Sequence, residues 1–164
     1  MTKQGSMPRY GGVHGQNGHG GYIDIIETTG SQPTVTDPDP GNDFSFTMPD
    51  TEIWEILGFS ITFTTDGNTA DRIVRIEFLG PDGHRLFVVT FSTKNKNETV
   101  DLILAQWGHD PDDITISGGT DVSRAAIPRR MMLPPGCTIR TQTENLQTGD
   151  DFSNPHIHVE RFGH

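Results

Sequence analysis

An all-β fold, an antiparallel β-sandwich or jelly roll with an extended N-terminal arm, is what this 164-residue chain predicts, and three observations predict it. Hydrophobic residues make up 32% of the chain, while Gly (19) and Pro (11) are abundant. Those are turn-forming residues, and they suit many short strands better than helices. Apolar residues then alternate with polar ones in segment after segment, the period of a strand with one face in the core. Turn signals separate these segments at roughly ten-residue spacing, the layout of a sandwich with seven or eight strands.

The first 21 residues, MTKQGSMPRYGGVHGQNGHGG, contain seven glycines and little to bury. Such a segment cannot offset its own ordering entropy, so it is expected to become ordered only on a partner, another copy or another protein. YIDIIET (22–28) is a short strand candidate, and SQPTVTDPDPGND (31–43) is a proline-straightened connector. Residues 1–47 are therefore expected to form an arm and residues 48–164 the β domain.

Within that domain, Leu57, Phe59, Ile61 and Phe63 alternate with Gly58, Ser60, Thr62 and Thr64, so the first set is expected in the core and the threonines in water. Val74, Ile76 and Phe78 alternate with Ile73, Arg75 and Glu77. After Gly80-Pro81-Asp82-Gly83, Phe87, Val89 and Phe91 share a face, so the two strands form a hairpin. Val100, Leu102 and Leu104 mark the next strand, and ITIS (114–117) a short one. GGTDVSRAAIPRRMM (118–132) has no period and is expected to be a long loop. Cys137, Ile139 and Thr141 restore the alternation, LQTGDDFSN is a turn region, and the last strand (155–162) turns Ile157 and Val159 inward.

The formal net charge is −10. Nucleic-acid surfaces need clustered cations, and the one basic cluster is Arg124, Arg129 and Arg130, so no nucleic-acid partner is expected. No apolar run approaches the ~20 residues of a membrane helix and the N-terminus does not read as a signal peptide, so no membrane partner is expected either. The single cysteine, Cys137, leaves no intramolecular disulfide or thiolate zinc cluster to build and reads as a core residue.

Three features invite a site reading. His156 and His158 lie on one face of the last strand, two ligands where a structural zinc site takes four; a trimer axis would multiply them to six. The acidic runs 37–43 and 110–113 lack the closing Glu of a calcium loop. His14 and His19 are too few for a metal-capturing tract. No GxSxG, HExxH, P-loop or dinucleotide motif occurs. The sequence therefore assigns no catalytic, cofactor-binding or metal residue, and no enzyme activity is expected.

From Ile53 to Phe162 the chain resembles small structural proteins of tailed bacteriophages. The resemblance is carried by a strand opening around Ile53-Trp54-Glu55-Ile56, an Arg-led strand from Arg72 to Phe78, and the Asp82-Gly83 turn. It continues through LPPGCTIR (Leu133 to Arg140), the Asp150-Asp151 turn and a last strand ending in an aromatic. It leaves the first fifty residues outside, and Cys137 stands where an aromatic often follows LPPG. The resemblance implies a virion component assembled in the bacterial host cytoplasm, by preference a head decoration (cement) protein. It implies two partners: further copies of the chain, as a homotrimer, and the major capsid protein or another virion protein held through residues 1–47. The alternatives are a tail or connector-ring subunit, or a carbohydrate- or receptor-binding sandwich of a tail fibre. The last would stack sugars on Trp54, Trp107, Tyr10 or Tyr22.

Overall fold

The computed structural model describes residues 22–26, 35–106 and 121–163, with the backbone alone for 22–26 and 163. It is a β-sandwich. Its strands are β1 (Tyr22–Ile26), β2 (Ser45–Thr47), β3 (Glu52–Thr64), β4 (Ile73–Leu79) and β5 (Arg85–Thr90). They continue as β6 (Thr99–Gln106), β7 (Asp121–Ile127), β8 (Met132–Leu133), β9 (Thr138–Glu144) and β10 (Asp151–Gly163). One sheet runs β1-β10-β3-β6-β7, with β8 pairing the start of β3; the other runs β2-β9-β4-β5. No helix among the described residues is long and apolar enough to cross a membrane.

The core lies between the sheets. The larger contributes Trp54, Ile56, Phe59, Ile61 and Phe63 from β3, Val100, Leu102 and Leu104 from β6, and Phe152, Ile157 and Val159 from β10. Val74, Ile76, Phe78, Cys137 and Ile139 face them from the smaller sheet. Phe63 stacks on Phe152 with ring centroids 4.5 Å apart, and Phe46 on Trp54 at 5.9 Å. Offset ring pairs of this kind add to the burial energy.

Several expectations change. Leu57 is only half-buried, because β3 carries an extra residue there: His158 pairs with Gly58 while Val159 pairs with Ile56. That bulge shifts the inward set by one, so Trp54 and Ile56 precede Phe59 in the core. Thr62, expected in water, is buried and donates to Asp101 Oδ1 at 2.6 Å from the neighbouring strand. Glu77, which alternates with Val74, Ile76 and Phe78, is fully buried as well.

The expected long loop 118–132 contains β7, which pairs with β6 in parallel from Val100↔Asp121 to Gln106↔Ile127. As the outermost strand of its sheet, β7 needs little apolar alternation, and its Ala-Ala stretch shows none. The ladder also departs from a wholly antiparallel sandwich. β10 begins at Asp151, inside the expected turn region, and places Phe152 in the core.

The core also reaches upstream of residue 48. Val35, Phe44 and Phe46 belong to it, and β2 pairs with β9 through Ser45↔Arg140 to Thr47↔Thr138. Phe44 and Phe46 alternate with Ser45 and Thr47, a strand too short to stand out behind three prolines. The connector is held by its turn: Pro40 and Gly41, the latter at φ +79°, bring Asn42 N–H to Asp39 C=O at 3.1 Å. That is type II turn chemistry. A Cβ on Gly41 would sit 2.9 Å from the Thr148 backbone. Residues 1–21, 27–34 and 107–120, which include the glycine-rich segment and the ITIS candidate, lie outside the described residues.

Candidate functional site

The strongest polar constellation sits where the β3–β4 and β9–β10 loops meet. Arg72 just precedes β4, its main chain exchanging hydrogen bonds with Lys94 at 3.0 and 2.8 Å. Its side chain is fully buried and grips Asp150 with two parallel bonds, Nε to Oδ2 and Nη2 to Oδ1, both 3.0 Å. Nη1 donates to the carbonyls of Asn68 and Ala70 at 2.8 and 2.9 Å, and Nη2 also reaches Asp66. Asp150 accepts in addition from the backbone N–H groups of Asp66 and Gln147, each at 2.8 Å, and its own carbonyl accepts from Gly41 at 2.7 Å. Every carboxylate oxygen and guanidinium nitrogen of this pair is used. Charge-assisted, forked bonds make such a pair strong when fully satisfied.

Burial would raise the Asp66 carboxyl, but the Asn68 N–H and side-chain amide, with Arg72 behind them, outweigh it and hold it below the usual range. Burial likewise opposes the charge on Arg72, and Asp150, then Asp66, push it above its ordinary value. A cluster closed on itself fastens two loops and the connector, and leaves no group turned toward a ligand.

A second buried charge lies on the outer face of the smaller sheet. Glu77 Oε2 accepts from Arg140 Nε at 2.9 Å and Nη2 at 2.7 Å, from β9. Its Oε1 faces Arg85 of β5 as an ion pair without hydrogen-bond alignment. Arg85 and Arg140 are themselves 50% and 41% exposed, and Arg75 pairs with Glu144 beside them.

His156 and His158 do share the outer face of the larger sheet, opposite Ser60 and Gly58. Among the described residues no group of three His, Cys, Asp or Glu side chains is arranged to hold a metal. In the acidic run, Asp37 accepts from Asn154 N–H at 3.1 Å, and Asp43 accepts from the Thr141 and Thr143 hydroxyls at 2.8 and 2.7 Å. Those carboxylates serve protein donors instead of converging on one point.

Burial, with Asp82 behind it, pushes the Cys137 thiol up, away from a reactive thiolate. Arg129 and Arg130 form an exposed turn after β7, and Arg124 is exposed on that strand. Trp54 is fully buried, donates its indole N–H to Glu52 at 2.8 Å and lies 5.1 Å under Arg161. It packs, and offers no sugar platform. Residues 110–113, His14, His19, Tyr10 and Trp107 lie outside the described residues. The Arg72–Asp150 clamp escapes sequence reading because its partners are 78 positions apart; an Arg at a strand entrance was its one visible sign.

No family model and no curated protein matches the chain. Two solved chains are similar to it over 87% of its length. One comes from the structure of the infectious bursal disease virus Gx strain, at 12% identity, a TM-score of 0.27 and 41% coverage of that chain. The other comes from the T13 particle of the same virus, at 12% identity, a TM-score of 0.27 and 39% coverage. The chain thus spans about two fifths of the chains it matches. A superposition this loose identifies neither a shared fold nor a shared role, and the functional reading rests on the chain's own residues.

Proposed function

We propose that the chain is a non-enzymatic structural protein of a tailed-phage virion, a head decoration (cement) protein that reinforces a shell through its N-terminal segment and through self-association. Its partners are further copies of itself, in a ring for which the resemblance suggests three, and the major capsid protein. The observation that carries the reading is the position of β1. It joins the sandwich as an outermost strand, antiparallel to β10 from Tyr22↔Arg161 to Ile26↔Ile157. That ladder holds Tyr22–Ile26 at a sheet edge, and the sequence before it counts seven glycines in 21 residues. A sequence so rich in glycine has little side chain to bury against its own module and suits capture by a neighbouring surface. The carbohydrate-binding alternative loses Trp54 as a stacking platform, since that ring is buried.

Deleting residues 2–21 tests the reading. The truncated chain is expected to keep its melting temperature and to lose co-sedimentation with purified heads of the phage that encodes it. Undiminished head binding by the folded truncated chain would overturn the docking role.

A further inference from the structure

We infer that β5 is a docking edge for a second copy of this chain, joining two small sheets into one continuous sheet across a twofold axis at Val89. Among the described residues, β5 pairs in the smaller sheet with β4 alone, and β2, at the opposite edge, is only three residues long. Natural sheet edges are blunted by lysine, proline, shortness or a covering element. β5 reads RLFVVT: six residues, no lysine, no proline, and a single charge at its first position. Its one irregularity, the extra residue at Leu86 between the Phe78↔Phe87 and Leu79↔Arg85 pairs, leaves Phe87–Thr90 regular.

The direction of each backbone group follows from the ladder. Phe91 N–H donates to Val74 C=O at 2.9 Å, which makes Phe91 and Val74 a hydrogen-bonded pair in the same register as β4 and β5. Such pairs alternate along an antiparallel ladder. Phe87, Val89 and Phe91 therefore direct their N–H and C=O toward β4, and Val88 and Thr90 direct theirs away. Among the described residues no strand or loop receives those four outward groups.

The side chains tell the same story. Phe87 and Val89 pack against the core yet remain half-exposed, and Leu86 is 52% exposed. A strand laid alongside would complete their burial and take up the free bonds at once.

A second copy of β5 fits this edge in one register. Opposed residues on an antiparallel pair must lie on the same face, so a twofold axis normal to the sheet runs midway between the two copies of one residue. With the axis at Val89, Val88 of one copy lies opposite Thr90 of the other, and four backbone bonds satisfy all the outward groups of both strands. Phe87 then lies opposite Phe91, and Val89 opposite Val89, on the core face. The bulge at Leu86 and the charge of Arg85 stay outside the paired stretch, so no like charges meet. This contact stands on the geometry of β5 alone and does not rest on the virion reading or on the ring proposed with it.

Sedimentation of the full chain over a range of concentrations, with Val88→Pro beside it, tests the inference. Val88 N–H is not used by β4, so proline there spares the internal ladder and removes an outward donor. The wild-type chain is expected to reach at least twice its 18.1 kDa at tens of micromolar. Val88→Pro should keep the far-ultraviolet dichroism and lose that doubling. Should Val88→Pro unfold, Val88→Lys keeps every backbone bond and brings a charge to the seam, with the same loss expected. A wild-type chain that stays monomeric, or a folded variant that pairs as well as wild type, would overturn the inference.

Discussion

The β4–β5 hairpin is closed at one end and open along one side, and the two regions are built on opposite principles. At the Arg72 end, main-chain bonds to Lys94 continue the ladder, and a buried guanidinium joins Asp150, Asp66 and two carbonyls into a network with no spare donor. Along the outer side of β5, backbone groups and partly buried apolar side chains are left over by the described residues. A buried charge is costly unless it is partnered, and at the closed end the Arg72 donors are all spent within the chain. An open edge contributes little to the stability of its own copy and is therefore where association can act. This fold spends its buried charges on itself at one end and leaves backbone groups of the described residues unspent along an edge.

The largest effect should come from breaking the closed end. Asp150→Ala leaves Arg72 buried without its forked partner and should cost about 3–5 kcal/mol, read by denaturant unfolding. A loss under about 1 kcal/mol would mean that Arg72 finds water, and the contrast with β5 would weaken. Phe59→Ala in the core should cost a similar ~3–5 kcal/mol from lost burial and the cavity left behind. Thr62→Ala removes a buried bond to Asp101 and should cost about 1–3 kcal/mol. A near-zero cost at Thr62 would return that residue to the wet face that simple alternation assigns it.

How much of this was legible in the sequence follows from range. Alternation located β3, β4, β5, β6, β9 and β10, because each sends apolar side chains into the core from alternate positions. The Asp82-Gly83 turn was legible too, since Gly83 sits at φ +79° and Gly80 N–H closes on His84 C=O at 2.8 Å. What escaped depends on partners far along the chain. The bulge at Leu57 is a property of the pairing with β10, and β7 is a strand only because β6 lies beside it. Glu77 is paired by Arg85 and Arg140 from two other strands, which its own segment does not announce. The same holds for sites: His156 and His158 share a face as expected, but only the fold shows that no third ligand among the described residues joins them.

The smallest effects are electrostatic, and they differ in sign between two aspartates. Burial, with Asp37 nearby, raises the Asp151 carboxyl above its ordinary 3.8, so its charge disfavours the folded state at neutral pH. Asp151→Asn should raise the melting temperature slightly at pH 7, and the gain should vanish as pH falls below 3.8. Asp66 is held below 3.8, so its contribution is complete above that value and is lost as pH falls through its lowered one. Asp66→Asn should therefore lower the melting temperature at pH 7 and converge on wild type only in stronger acid. Equal signs at the two positions would erase the distinction between a carboxylate inside the clamp and one beside it.

The central claim, a sealed end and a receptive edge on one hairpin, is tested most directly by residue-resolved amide hydrogen exchange at low and high protein concentration. Slow exchange is expected at Arg72, Lys94, Phe87, Val89 and Phe91 in both conditions, since their N–H groups bond within the chain. Val88 and Thr90 should exchange fast in dilute solution and slow when concentrated. Val88 and Thr90 amides equally fast at both concentrations, or fast exchange at Arg72 and Lys94, would contradict it.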